Sequence, residues 1–345
     1  MKQKKRICFA ITCYSLFLYY LINGVNDDDI IICNYNVPNE IKQNIKNISL
    51  PKISFVDGPK MAPLNSIHGI IENITGYIKY FYGYLKLRTL LFIKCFNKDV
   101  EVWGQTHSPF AYMFYTYENA YMIEDGLLNY HWEPLKTHEI NPILDFLLHI
   151  CGIYFLNIRE TLGTHKNIKK IYLTQECVFE NIKDKVINID IHQLWNEKNI
   201  EEQEEILKIF NVNKEDLKKI NKDYKLLLTQ PYAEYKEISI EEEIGIYKEL
   251  LGNYDKLVIK PHPNDKKDYT KIFPNAIIIK KEFPIELMEL IGIQINDVYT
   301  INSTAAFNFK NSNIHVFTGK SSSKTINDGN EVIISLLKEK TNNNN

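Results

Sequence analysis

Three short stretches of the chain carry residue types able to do chemistry, and each follows an apolar run of strand character. The first is Lys260-Pro261-His262-Pro263-Asn264-Asp265, placed after Lys256-Leu257-Val258-Ile259. Two prolines fix the backbone around the histidine, and a side chain held just past a strand sits where open α/β sheets bind ligands. His262 is therefore a candidate for work on a ligand, against the plainer reading of a rigid turn whose histidine faces water. The second stretch is Glu124-Asp125-Gly126, after Ala120-Tyr121-Met122-Ile123. Neighbouring carboxylates at a strand end raise each other's affinity for a proton, which suits a general base, while glycine lets the backbone turn and approach a substrate. Seen alone, such a triplet is more often a hydrophilic turn. The third is Ser303-Thr304, between Val298-Tyr299-Thr300-Ile301-Asn302 and Ala305-Ala306-Phe307. Hydroxyls and unpaired N–H groups at a helix start form an anion site, and the same groups serve as an ordinary N-cap.

The order of the three says more than any one of them. An acidic pair with glycine, then His-Pro, then a hydroxyl pair about forty residues on resembles the bacterial sialyltransferases of glycosyltransferase families 52, 38 and 80, which carry (Asp/Glu)-(Asp/Glu)-Gly, His-Pro and Ser-Ser/Thr motifs. The opening Ile7-Cys8-Phe9-Ala10-Ile11-Thr12-Cys13-Tyr14-Ser15-Leu16 is similar to the first strand and turn of family 52 and polysialyltransferase-like proteins, with Thr12-Cys13 where those have Thr-Pro. Phe283-Pro284-Ile285-Glu286-Leu287 resembles their nucleotide-ribose segment. The resemblance implies an α/β fold of the GT-B type, two Rossmann-like domains with an interdomain cleft. It also implies an inverting transfer of sialic acid, or a related nonulosonate, from a CMP-sugar to a surface glycan such as lipooligosaccharide or capsule.

In that scheme Glu124 is the base and Asp125 the supporting acid, a choice that two adjacent carboxylates leave close. His262 stabilises the departing CMP phosphate, as a cation or by donating a proton. Lys260 lends charge to the same phosphate, Ser303 and Thr304 bind it, Glu286 accepts from the ribose hydroxyls, and Thr12, Gly126 and Pro263 complete the substrate-binding set. The partners implied are a CMP-sialic acid donor and an oligosaccharide or glycolipid acceptor, with no cofactor and no metal. Two other readings stand beside it: a GT-B transferase using a different nucleotide sugar, and a non-catalytic glycan- or nucleotide-binding protein.

Composition narrows the classes. A chain of 345 residues has room for two cores, because single cores stop growing at about 250–300 residues. A net charge of −2 and no basic stripe exclude a general nucleic-acid binder, whose phosphate affinity needs clustered Lys and Arg. Cys8, Cys13, Cys33, Cys95, Cys151 and Cys177 contain no C-x-x-C pair, which reads as reduced thiols of a cytoplasmic protein. Asp27-Asp28-Asp29 is read as a solvated turn rather than a metal site. The basic start, Lys2, Lys4, Lys5 and Arg6, before an apolar stretch to Ile22 has the outline of a signal peptide or anchor. Interruptions at Thr12 and Ser15 favour instead a buried strand at 7–11 and a helix at 14–23 with Gly24 past its end. The lysines and arginine then either touch the inner face of the membrane peripherally or trail as a solvated tail.

Apolar runs alternating with helical patterns predict parallel βαβ units. Expected strands fall at 7–11, 30–34, 53–56, 100–103, 120–123 and 170–174, then at 225–229, 257–260, 276–279, 297–301 and 314–317, with helices at 65–81, 142–162 and 240–251. The charged stretch 201–222 marks the boundary between an N-terminal acceptor-side domain, 1–221, and a C-terminal CMP-sugar-binding domain, 222–345.

Overall fold

The computed structural model describes residues 4–33, 37–45, 82, 85–86, 89–96, 98–105, 117–124, 126, 128–131, 162–177, 179–309 and 311–343. The chain divides into two compact units, Met1–Ile209 and Phe210–Asn345. The expected strand at 53–56 and the expected helices at 65–81 and 142–162 lie outside the described residues, apart from the turn residue Leu162.

In the first unit β1 (Lys4–Ala10), β2 (Ile30–Cys33), β3 (Asp99–Gly104), β4 (Asn119–Ile123), β5 (Ile168–Leu173) and β6 (Val186–Asn188) form one parallel sheet in the order β2-β1-β3-β4-β5-β6. The short β6 has no counterpart among the expected strands. On one face Ile7, Phe9, Ile32, Val102, Met122 and Ile171 join a single buried cluster, while Cys8 and Ala10 are buried on the other. Strands covered on both faces read as unbroken apolar runs, which is why they are visible in the sequence. The helix Cys13–Asn23 begins at a reciprocal cap: the Thr12 hydroxyl accepts from the Ser15 N–H at 3.1 Å, and the Ser15 hydroxyl accepts from the Thr12 N–H at 3.1 Å.

Two expectations for the N-terminal region change. β1 starts at Lys4, so Lys4, Lys5 and Arg6 are strand residues rather than a free tail: Arg6 Nε donates to Asp29 Oδ1 at 2.9 Å, and the Lys5 ammonium donates to the Asp28 carbonyl. Asp27 and Asp28 are exposed as a solvated turn requires, but Asp29 is buried and also accepts the Tyr19 hydroxyl at 2.6 Å. It anchors β2 to β1 and the first helix. No helix among the described residues is long and apolar enough to cross a membrane. Cys8, Cys13, Cys33, Cys95 and Cys177 are free thiols, and burial pushes Cys33 up to about 12.

In the second unit β7 (Lys225–Leu228), β8 (Leu257–Lys260), β9 (Ile277–Ile278), β10 (Asp297–Thr300) and β11 (Asn313–Val316) form a parallel sheet in the order β11-β10-β7-β8-β9. The helix Ile240–Leu251, capped by the Ser239 hydroxyl, packs Ile246, Tyr247 and Leu251 into a core with Leu227, Ile259, Tyr269 and Phe273. Register decides where the strands stop. Leu228 lies opposite Thr300 on one side and Lys260 on the other, so β10, β7 and β8 end level. The residues just beyond them share one edge.

In both sheets the order of connection reverses, between β1 and β3 and between β7 and β10, and ligand sites of open parallel sheets lie beyond the strands' carboxyl ends at such reversals. Gly104 closes β3 beside Phe9 of β1 with φ +134°, and a Cβ there would lie 2.3 Å from the Phe9 carbonyl oxygen. Gly104→Ala should therefore destabilise the protein by about 2–5 kcal/mol through backbone strain plus overpacking, read as a lower midpoint in urea with an unchanged slope. A midpoint equal to wild type would show that the two strands separate without cost.

Candidate functional site

In the first unit Glu124 is the residue just past β4, and its N–H donates to the Tyr172 carbonyl of the next strand at 3.0 Å. The side chain is 2% exposed. Its Oε2 accepts from the Tyr130 hydroxyl at 2.8 Å, the Thr174 N–H at 2.6 Å and the Thr174 hydroxyl at 2.7 Å. Three donors on one oxygen suit a carboxylate, and burial together with that carboxylate pushes the Tyr130 phenol well above its ordinary value. Gln105, just past β3, donates from Nε2 to the Glu124 carbonyl at 3.1 Å. Gly126 takes φ +71°, the left-handed turn that glycine accepts without strain. Asp125 lies outside the described residues. Thr12 is at the carboxyl end of β1, with its hydroxyl engaged by the helix cap described above.

The second unit gathers the remaining candidates on its level edge. The His262 N–H donates to the Thr229 hydroxyl at 3.0 Å, and that hydroxyl donates to Asp265 Oδ2 at 2.7 Å. Pro263 sits inside the tight turn that the Asp265 N–H closes onto the His262 carbonyl at 2.9 Å. His262 Nδ1 accepts the Asn264 N–H at 3.1 Å, so in the neutral ring the proton is on Nε2. Burial, then the nearby Lys260 ammonium, pushes His262 down to about 4, and the opposing pull of Asp265 and Glu234 does not restore it. At neutral pH the ring is thus an uncharged N–H donor. Lys260 is itself buried, and its ammonium donates to the carbonyls of Pro261 at 2.9 Å and Lys281 at 3.0 Å.

The loop after β7 is the hub of this edge. Besides Thr229 it supplies Tyr232, whose hydroxyl donates to Asn302 Oδ1 at 2.6 Å in the Ser303-Thr304 loop, and Tyr235, whose hydroxyl accepts from Asn264 at 2.8 Å. It also supplies Glu234. The Lys267 ammonium makes ion pairs with Glu234 at 2.8 Å, Glu243 at 2.9 Å and Asp265 at 3.1 Å. Burial pulls this lysine down, but the carboxylates outweigh it and hold it above its ordinary value. The Ser303 N–H donates to the Thr300 hydroxyl at 2.9 Å, and residues 304–308 form a 3₁₀ helix that no side chain caps. Ser303 and Thr304 are both partly exposed. Glu286 opens the helix Glu286–Leu290, is 4% exposed, and accepts from Asn308 of that 3₁₀ helix at 3.2 Å.

Within its unit, then, His262, Pro263, Lys260, Ser303, Thr304 and Glu286 are joined through short bonded links, while Glu124, Gly126 and Thr12 share the carboxyl edge of the other sheet. Sequence reading missed Thr229, Asp265, Tyr130, Thr174 and Gln105. Gln105 carried a usable signal, as the polar residue just past a strand, whereas Thr174 and Thr229 fell inside expected strands, which in the structure stop one residue short of them.

The sequence signature of glycosyltransferase family 52 matches residues 75–322. The chain belongs to glycosyltransferase family 52. An uncharacterized protein of Haemophilus influenzae is 32% identical to this family 52 chain over 226 residues, covering 65% of it and 70% of the relative. Among solved structures, a Photobacterium sp. 2,6-sialyltransferase in complex with donor product CMP and acceptor substrate lactose aligns with a TM-score of 0.63, at 14% identity over 97% of this chain and 76% of its own. The GT-B domain of the Photobacterium damselae sialyltransferase aligns at 0.55, with 14% identity and 97% of both chains covered. A UDP-GlcNAc 2-epimerase of Neisseria meningitidis aligns at 0.50, with 15% identity over 97% of this chain and 91% of its own. These likenesses establish the fold as GT-B, and family membership makes the chain a glycosyltransferase.

The depressed histidine has a consequence in solution. Between pH 6.5, its ordinary value, and about 4 the unfolded chain binds a proton here that the folded protein refuses, so stability falls as pH falls through that window. His262→Gln should flatten this part of the stability profile in thermal melts. NMR titration of wild-type His262 with a midpoint near 6.5 would contradict the uncharged ring.

Proposed function

We propose that the protein transfers sialic acid, or a related nonulosonate, from a CMP-sugar to a surface glycan such as lipooligosaccharide or capsule. The observation that carries the donor class is the character of the phosphate edge. His262 offers one uncharged N–H, the Lys260 ammonium is bonded to backbone carbonyls, and the chain's arginines, Arg6, Arg88 and Arg159, all precede the second unit. A diphosphate leaving group carries more charge and is commonly held by bidentate arginine, whereas a monophosphate needs fewer donors. The CMP bound in the Photobacterium neighbour supports the same class.

In this reading the carboxylate pair Glu124-Asp125 takes the proton of the acceptor hydroxyl, with Glu124 as the base. The hydroxyl oxygen forms its bond to the anomeric carbon as the bond from that carbon to the CMP phosphate oxygen breaks, inverting the centre. His262 Nε2–H stabilises the charge gathering on the departing phosphate, with the partly exposed Ser303 and Thr304 hydroxyls beside it. Glu286 accepts from the ribose. Gly126, Pro263 and Thr12 shape the backbone around these groups.

Two measurements test this. CMP at a hundredfold excess over its Kd should stabilise the protein by about 2.7 kcal/mol, a shift of a few degrees in Tm, while UDP and GDP leave Tm unchanged. Equal stabilisation by UDP would move the donor to another nucleotide sugar. With a CMP-sialic acid donor, Glu124→Gln should lose about 10²- to 10⁴-fold in kcat while still binding CMP. An active Glu124→Gln beside an inactive Asp125→Asn would reassign the base to Asp125.

A further inference from the structure

We propose that Thr229 and Asp265 are positioning residues for His262, and that together they decide which imidazole nitrogen carries the proton. The argument follows the direction of each hydrogen bond. The Asp265 carboxylate only accepts, so both the Tyr269 hydroxyl at 2.6 Å and the Thr229 hydroxyl at 2.7 Å must donate to Oδ2. A threonine hydroxyl has one proton. With that proton spent on Asp265, Thr229 Oγ1 can only accept, and the backbone N–H of His262, at 3.0 Å, is a donor it meets.

The same carboxylate holds the far end of the turn. Asp265 Oδ1 accepts the Lys267 N–H at 3.0 Å and the Asp265 N–H donates to the His262 carbonyl at 2.9 Å, which brings the Asn264 N–H to His262 Nδ1 at 3.1 Å. An N–H pointing at Nδ1 excludes a proton there and leaves it on Nε2. Thr229 and Asp265 are each 3% exposed, so water does not replace either bond when one is removed. The imidazole is thereby oriented through a chain of hydrogen bonds that begins in the loop after β7. The effect on turnover rests on the reading of His262 as the group that stabilises the leaving phosphate; the effect on the tautomer does not.

Thr229→Val exchanges the hydroxyl for a methyl of similar size, whereas Thr229→Ser keeps it. In ¹⁵N NMR of the free protein, wild type and Thr229→Ser should show one tautomer, protonated on Nε2, and Thr229→Val a mixture. With a CMP-sialic acid donor, kcat/KM of Thr229→Val should fall about tenfold, the rate equivalent of one buried hydrogen bond left unmade, and Thr229→Ser should recover it. A Thr229→Val protein that keeps the single Nε2–H tautomer overturns the proposal, whatever its activity. A tautomer mixture with wild-type turnover overturns the link to catalysis. If Thr229→Val does not fold, Asp265→Asn is read the same way, a mixture supporting the proposal and a single tautomer overturning it. If wild type shows no transfer from CMP-sialic acid, the donor reading fails while the tautomer result still decides the positioning role.

Discussion

One buried ammonium organises the carboxyl edge of the second unit's sheet. The side chain of Lys267 is 4% exposed, and its three carboxylate partners come from three elements: Glu234 from the loop after β7, Glu243 from the helix Ile240–Leu251, and Asp265 from the His-Pro loop. Removing Lys267 would leave its carboxylate partners without a counter-charge, at a cost of about 3–5 kcal/mol. The lysine therefore works as a rivet. Glu243 also binds the Ala233 N–H and the Tyr247 hydroxyl, so the helix, the hub loop and the histidine turn are held as one piece.

The two units bring different chemistry to the transferase. The first ends its strands in a carboxylate fixed by hydroxyls and a backbone amide, and the second in an uncharged imidazole beside hydroxyls. In the second the Lys260 and Lys267 ammonium groups lie close by, each bonded to carbonyls or carboxylates of the protein itself. An uncharged N–H donor beside hydroxyls interacts through the direction of its dipoles more than through net charge.

Much of the scaffold was legible because parallel strands buried on both faces appear as uninterrupted apolar runs, as at Ile30–Cys33 and Leu257–Lys260. The candidate residues were legible for a related reason, since groups that act on ligands lie just past such runs. What stayed hidden were the polar links. Asp265 shows in the sequence only as the last residue of the His-Pro stretch and Lys267 as one more charge beyond it, and the fold is what brings Glu234 and Glu243 to them. Asp29 was lost in an acidic triplet in the same way, its partner Arg6 being 23 positions away. The short β6 comes from pairing with β5 rather than from its own three residues, which are largely exposed. Thr12 looked like a ligand residue by resemblance, and its capping partner, Ser15, became clear only from the local geometry.

The two prolines around His262 carry a further consequence, for backbone exchange with solvent. Pro261 and Pro263 have no amide proton, so the segment from 261 to 265 offers amide protons only at His262, Asn264 and Asp265. Those three are bonded to Thr229, to the imidazole and to the His262 carbonyl. Amides held in this way exchange their hydrogens when the turn opens. The His-Pro turn is thus an irregular segment whose amide protons report its own opening, because each of the three is held by an acceptor in the closed form.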